Sequence, residues 1–143
     1  MAEKEIHILL VEDDIVDVKN IQRAFKKNNI KHPLHVANDG IEALELLNGT
    51  GDQPALDPVP DVILLDINMP RMNGLELLKE LRADERFNQS LIFVITTSDD
   101  QRDRVEAYKY NVAGYFLKPI ESDLFTNILG TLSSYWDLVK FPN

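Results

Sequence analysis

Five short apolar runs, each parted from the next by a stretch with helical spacing, constrain this chain more than any other feature. They are IHILLV (6–11), LHVA (34–37), DVILL (61–65), LIFVI (91–95) and GYFL (114–117). All have strand length, and continuous apolar strands belong to a parallel sheet covered on both faces. Between them, Val18, Ile21 and Phe25 mark one face of a first helix, which stops at Asn28-Asn29. Asp39 with Glu42 three residues on resembles a capping box, opening a helix that buries Ile41, Leu44 and Leu47. Asn73 caps a third helix with Leu75, Leu78 and Leu81 inward. A polar fourth helix runs from about Asp100 to Asn111, which tolerates a left-handed cap. Leu124, Ile128, Leu132, Tyr135 and Val139 mark the last helix. The pattern predicts an α/β fold, a doubly wound five-stranded parallel sheet for which the common strand order is 2-1-3-4-5.

At 143 residues the chain is read as a single domain, 1–143, large enough to need no disulfide or structural metal. It has no cysteine, which excludes disulfides, thiol catalysis and zinc–thiolate sites. The first apolar run is too short for a membrane span and no signal peptide precedes it, so a soluble cytoplasmic protein is expected. A formal net charge of −9 opposes nucleic acid and anionic membranes. One connection is long: GTGDQPALDPVP (49–60) leads from a helix to a strand, hence lies at the strands' amino edge, and reads as an inert surface insertion.

The third run ends in an acid, Asp66, in DVILLDINMPRMNG (61–74). A carboxylate inside a buried strand is costly unless paired, metal-bound or protonated. The other strand ends are equally polar: Glu12-Asp13-Asp14 after the first, Thr96-Thr97-Ser98 after the fourth, Lys118-Pro119 after the fifth. Ligands of open α/β sheets sit beyond the carboxyl ends of the strands, where strand order reverses. With order 2-1-3-4-5 that point falls between the first and third strands, which places Asp66 at the mouth of a cleft facing Glu12 and Asp13. Three carboxylates in one crevice repel, and a hard divalent cation such as Mg²⁺ relieves them. The residues therefore point to Asp66 as a nucleophile for a phosphoryl group, with Mg²⁺ held by its neighbours and Lys118 and a Thr hydroxyl on the remaining oxygens. Singly, each element has an ordinary reading: a solvated acidic loop, a helix cap, a strand-end hydroxyl, an exposed turn. Their convergence at equivalent strand ends is what makes them specific.

VEDD (11–14), LLDINMPRMNG (64–74), ITTS (95–98) and GYFLKP (114–119) together resemble the receiver domains of two-component response regulators. The likeness runs from about residue 6 to 135, with Asp66 thirty residues before Thr96 and fifty-two before Lys118. It implies the flavodoxin-like receiver fold and phosphorylation of Asp66 by a sensor histidine kinase. It implies a metal site of Asp13, Glu12 mainly through water, Asp66 and the Asn68 carbonyl. It also implies Lys118 on the phosphoryl group, Thr96 as switch hydroxyl and Tyr115 as coupled aromatic. Without an output domain, the signal would pass to a downstream protein by contact. The 49–60 loop, TTS after the fourth strand and the aromatic tail YWDLVKFP (135–142) further resemble the small regulators partnered with phytochrome-type kinases. Thr97 departs from the usual smaller residue, and Asn111-Val112 from the usual Gly-Ala.

Other classes fit less well. A phosphatase of the haloacid dehalogenase type needs a second acid two residues after its nucleophile, where this chain has Asn68. A flavodoxin-like cofactor binder needs a phosphate loop after the first strand, where this chain has EDD, and no GxxxxGK[ST] is present for a nucleotide hydrolase. A phosphorylation-independent docking module of the same fold is the remaining alternative. His7, His32 and His35 are scattered and read as structural or solvated. The tail, 136–143, extends a core of about 6–135. Its helix carries two apolar rows, Leu124/Ile128/Tyr135/Val139 and Phe125/Leu129/Leu132/Trp136. If one row covers the sheet, the other leaves an aromatic patch, and a homodimer through Leu132, Tyr135, Trp136, Val139 and Phe141 is expected; if both wrap the sheet, it is not.

Overall fold

The computed structural model describes residues 5–118 together with 130, 131, 134, 135 and 138. Five parallel strands form one sheet in the order β2-β1-β3-β4-β5. They are β1 (Ile8–Val11), β2 (Leu34–Ala37), β3 (Val62–Leu65), β4 (Leu91–Thr96) and β5 (Gly114–Leu117), alternating with α1 (Ile15–Lys27), α2 (Gly40–Asn48), α3 (Gly74–Ala83) and α4 (Gln101–Lys109). Every pairing is parallel, with Val11 opposite both Ala37 and Leu65, and Thr96 opposite Leu117. Most of the expected last helix lies outside the described residues.

Strand geometry sends alternate side chains to opposite faces, and this sheet is apolar on both. Ile8, Leu10, Val62, Leu64, Phe93 and Ile95 pack with Val18, Ile21, Ala24 and Phe25 of α1. Leu9, Val11, Ile63, Leu65, Ile92 and Val94 pack on the other side with α2, α3 and Ala107 of α4. β1 and β3 are buried along their whole length, which is why they read as unbroken apolar runs.

The caps explain where the helices begin. Asp14, Asp39, Asn73 and Asp100 each accept a backbone N–H of their own first turn. The capping box at Asp39 is only half made, since the Glu42 carboxylate accepts from Asn38 Nδ2 at 3.2 Å instead of reaching back. α2 buries Gly40, Ala43 and Leu47, while Ile41 and Leu44 stay half-buried. α3 buries Leu77 with Leu78 and Leu81, and Leu75 stays half-buried. The 49–60 loop is mostly exposed, as a surface insertion is, but anchored: Leu56 N–H donates to Leu46 O at 2.9 Å, and Leu56 and Val59 pack on the α2/α3 core. Two of the three histidines meet, His7 and His35 stacked at 6.2 Å, while His32 Nδ1 accepts the Ile6 N–H.

Asp39 has a second partner. Arg71 donates to it through Nε at 2.7 Å and Nη2 at 3.0 Å, and the guanidinium holds the carboxyl below its ordinary value. A carboxylate with a depressed native pKa contributes stability that is present above its unfolded value of 3.8 and lost as pH falls through the native one. Asn caps a helix as well as Asp, so Asp39→Asn isolates the ion pair. Urea titrations should find this variant weaker by about 1 kcal/mol at pH 7, since Arg71 is partly solvated. The difference should shrink as pH falls below 3.8 and vanish once it is below the depressed native value; a difference that persists after Asp39 is protonated in both folded and unfolded states would locate the loss elsewhere.

Candidate functional site

Backbone ladders carry three chemical groups to one edge. Asp66 N–H donates to Val11 O at 3.0 Å, Glu12 N–H to Ala37 O at 3.0 Å and Lys118 N–H to Thr96 O at 2.7 Å. Each ladder thus continues one step past its strand, and the side chains beyond β1, β3 and β5 converge. One oxygen each of Glu12, Asp13 and Asp66 lies within 4.8 Å of the others. Glu12 and Asp66 are buried, at 1% and 5% exposure, whereas Asp13 stands open to solvent. Two sunken carboxylates and one at the rim, all offering oxygen, suit a hard divalent cation entering from outside.

The ammonium of Lys118, its side chain only 9% exposed, sits among the acids. It donates to Glu12 Oε1, to Asp17 Oδ2 at 2.9 Å and to Asp66 Oδ2 at 3.1 Å. Burial by itself would lower its pKa, but the bonds to Glu12 and Asp17 and the charge of Asp66 raise it above the ordinary lysine value, so it stays charged. Burial acts on Glu12 in the opposite sense: it pushes the carboxyl up to about 8 against the pull of Lys118, with Asp66 adding to the rise. One cation facing Glu12, Asp17 and Asp66, with Asp13 beside them, leaves the pocket short of positive charge. That shortfall is the driving force for a divalent ion.

The other expected residues are close by in different ways. Asn68 N–H donates to Asp66 Oδ1 at 3.1 Å, and Asn68 Nδ2 to Thr97 Oγ1 at 3.3 Å. Thr96 is buried, its Oγ1 accepting from Ser98 N–H at 3.2 Å, and Tyr115 Oη donates to Ser98 O at 2.8 Å. Ser98 therefore joins the two, a link the sequence reading did not make. Asp17 was missed as well: an acid three residues after a cap looks like ordinary first-turn charge, and only the fold brings it to Lys118. Of the expected dimer residues, Tyr135 is about half exposed; the side chains of Leu132, Trp136, Val139 and Phe141 lie outside the described residues. Among the described residues no helix is long and apolar enough to cross a membrane.

The architecture has counterparts among known proteins. Response regulator Rcp1 of Synechocystis sp. is 33% identical over 136 residues, covering 94% of this chain and 92% of that protein. The crystal structure of the phosphorylated cyanobacterial phytochrome response regulator RcpA superposes with a TM-score of 0.86 at 29% identity, covering 98% of this chain and all of that one. The Mn²⁺-bound form of Rcp1 superposes at 0.81 with 31% identity, covering 96% and 99%. The family model of the response regulator receiver domain matches residues 8–129. With most of its length matched and its acidic pocket at the edge where the sheet order reverses, the chain belongs to the response regulator receiver family.

Proposed function

We propose that this domain takes a phosphoryl group onto Asp66 from the phosphohistidine of a sensor histidine kinase, with Mg²⁺ as the metal. The observation that carries this reading is the charge balance of the pocket: Lys118 on Asp66, Glu12 and Asp17, and Asp13 open at the rim. Glu12, Asp13, Asp66 and the Asn68 carbonyl would hold Mg²⁺, which supplies positive charge opposite the phosphoryl oxygens. Asp66 attacks phosphorus in line, the P–N bond breaks, and the imidazole nitrogen leaves with the electron pair. Lys118 keeps its proton and neutralises an equatorial oxygen, so the protein's share is positioning and electrostatics. Autophosphorylation from small donors and slow autodephosphorylation belong to the same chemistry, and the protein is a signalling phosphoacceptor, not a metabolic enzyme.

The new phosphoryl oxygens draw the Thr96 hydroxyl from Ser98, and Tyr115, tied to the same residue, follows. α4 buries only Ala107 along its length, and such thin packing lets it shift. The changed surface is read by a downstream protein in the cytoplasm; the charge of −9 argues against nucleic acid. A phytochrome-type kinase is the proposed donor, supported by the likeness to RcpA and Rcp1. Phosphotransfer profiling against the histidine kinases of the source organism tests this, and preferred labelling by a kinase without a phytochrome sensor would refute that part.

A homodimer through the carboxyl-terminal helix is part of the proposal, supported by Tyr135 at 52% and Leu138 at 84% exposure on helical positions. Sedimentation at tens of micromolar (about the weak end of specific association) should find a dimer that truncation before Ser134 dissolves. A monomer, or a dimer indifferent to the truncation, would remove it.

A further inference from the structure

Arg71 has no part in the chemistry above, yet its backbone sets it apart. Among the described residues three non-glycines have positive φ: Asn29, Asn111 and Arg71, the last at 65°. The two asparagines follow helices, where that conformation is common; Arg71 instead centres a tight turn closed by Met72 N–H on Pro70 O at 2.8 Å, a rare and strained conformation for a residue with a side chain. Such an outlier is kept when the surroundings require it.

What requires it is visible in the side chain. The guanidinium grips Asp39 with two bonds of 2.7 and 3.0 Å, and that carboxylate, 10% exposed, also accepts the Glu42 N–H that starts α2. The next residue packs as tightly: a Cβ on Gly40 would lie 2.8 Å from Met72 Cγ. At the far end Gly74 N–H donates to Ile67 O at 2.8 Å. The turn from β3 to α3 is thus fastened to α2 through Arg71 and Met72, and to its own start through Gly74. Within it lies Asn68, whose N–H holds Asp66 Oδ1, the oxygen opposite the one bound by Lys118. The shape of the turn therefore sets the rotation of the Asp66 carboxylate.

We propose that Arg71 is a positioning residue for Asp66: its forked grip on Asp39 holds the β3–α3 turn against α2 in the shape that keeps the Asn68 N–H on Asp66 Oδ1. This rests on Asp66 being the phosphoacceptor. Glycine adopts the left-handed conformation without strain, so Arg71→Gly removes the grip and the strain together. Loss of position and loss of stability then separate.

The test compares labelling by acetyl phosphate with saturating Mg²⁺ in wild type, Arg71→Gly, Arg71→Lys and Asp39→Asn. Arg71→Gly should melt within a few degrees of wild type, be labelled about fivefold more slowly, and show faster hydrogen exchange at the Asn68 amide. Arg71→Lys should recover only part of the rate, because a point charge cannot replace the fork. Asp39→Asn should slow labelling to a similar degree, and adding Arg71→Gly to it should slow it little further, the signature of one shared interaction. Wild-type rates and Asn68 exchange in Arg71→Gly would overturn the proposal, as would fully additive losses. If wild type itself is not labelled, the assignment of Asp66 fails and this inference with it.

Discussion

Asp66→Asn is expected to leave the fold standing and abolish labelling by acetyl phosphate and Mg²⁺, read by phosphate-affinity electrophoresis. Asn keeps the shape of the side chain and an oxygen that can accept the Asn68 N–H, so the turn loses no bond. It lacks the anionic oxygen that attacks phosphorus, and no transition-state stabilisation by Lys118 replaces a missing nucleophile. Removing one of the acids around Lys118 relieves repulsion as well as attraction, so the melting temperature should move by only a few degrees. Asp13→Ala leaves the nucleophile but removes the one open carboxylate of the cluster. Its labelling should fall by about 10-fold to 100-fold at a fixed low Mg²⁺ concentration and recover in part as Mg²⁺ is raised. Undiminished labelling of Asp66→Asn would sink the phosphoacceptor assignment, and a rate in Asp13→Ala independent of Mg²⁺ would remove Asp13 from the metal site.

The sheet was legible because the central strands β1 and β3 are buried on both faces and read as unbroken apolar runs, while the half-buried edge strands β2 and β5 are still mostly apolar. Its edges were less so. The IHILLV run starts as a strand only at Ile8, because the Ile6 N–H is bound by the His32 ring and not by a neighbouring strand. The acidic pocket was legible for a topological reason: the ends of β1 and β3, which carry Glu12, Asp13 and Asp66, are neighbours in the order 2-1-3-4-5, and the long Lys118 side chain reaches them from the edge strand β5. Asp17 and Ser98 were not, since their roles arise from where α1 and the β4–α4 connection settle. The inward face of α2 was read only in part. Periodicity favoured Ile41, Leu44 and Leu47; Leu47 is buried as expected, but the helix also buries Gly40, against Met72, and Ala43, and leaves Ile41 and Leu44 half-buried. The apolar Leu56 and Val59 inside a polar loop were a signal of packing that a surface reading of residues 49–60 passed over.

Gly74→Ala should be the most disruptive single methyl in the domain. In an exposed helix that change is favourable by about 1 kcal/mol, since alanine restricts the unfolded chain and suits the helix. Here a Cβ would stand 2.3 Å from Asp66 O and 2.7 Å from Ile67 Cα, both backbone, in a segment pinned by the Gly74 N–H bond to Ile67 O. Neither neighbour is the loose end of a side chain, so α3 or the phosphoacceptor strand must give way. Overpacking of this kind costs about 1–3 kcal/mol even where side chains can adjust. With rigid backbone on both sides the upper end is expected, a fall in melting temperature of roughly 8 °C for a domain of this size. The displaced peptide carries Asp66 itself, and misplacement of a reacting group by about 1 Å can cost 10²-fold in rate. Labelling should therefore drop at least tenfold at a temperature where the variant is still folded, in contrast to Arg71→Gly, which is expected to slow labelling while melting within a few degrees of wild type. A Gly74→Ala protein as stable as wild type and labelled at its rate would show that α3 can slide freely, and that its first turn does not hold the phosphoacceptor in place.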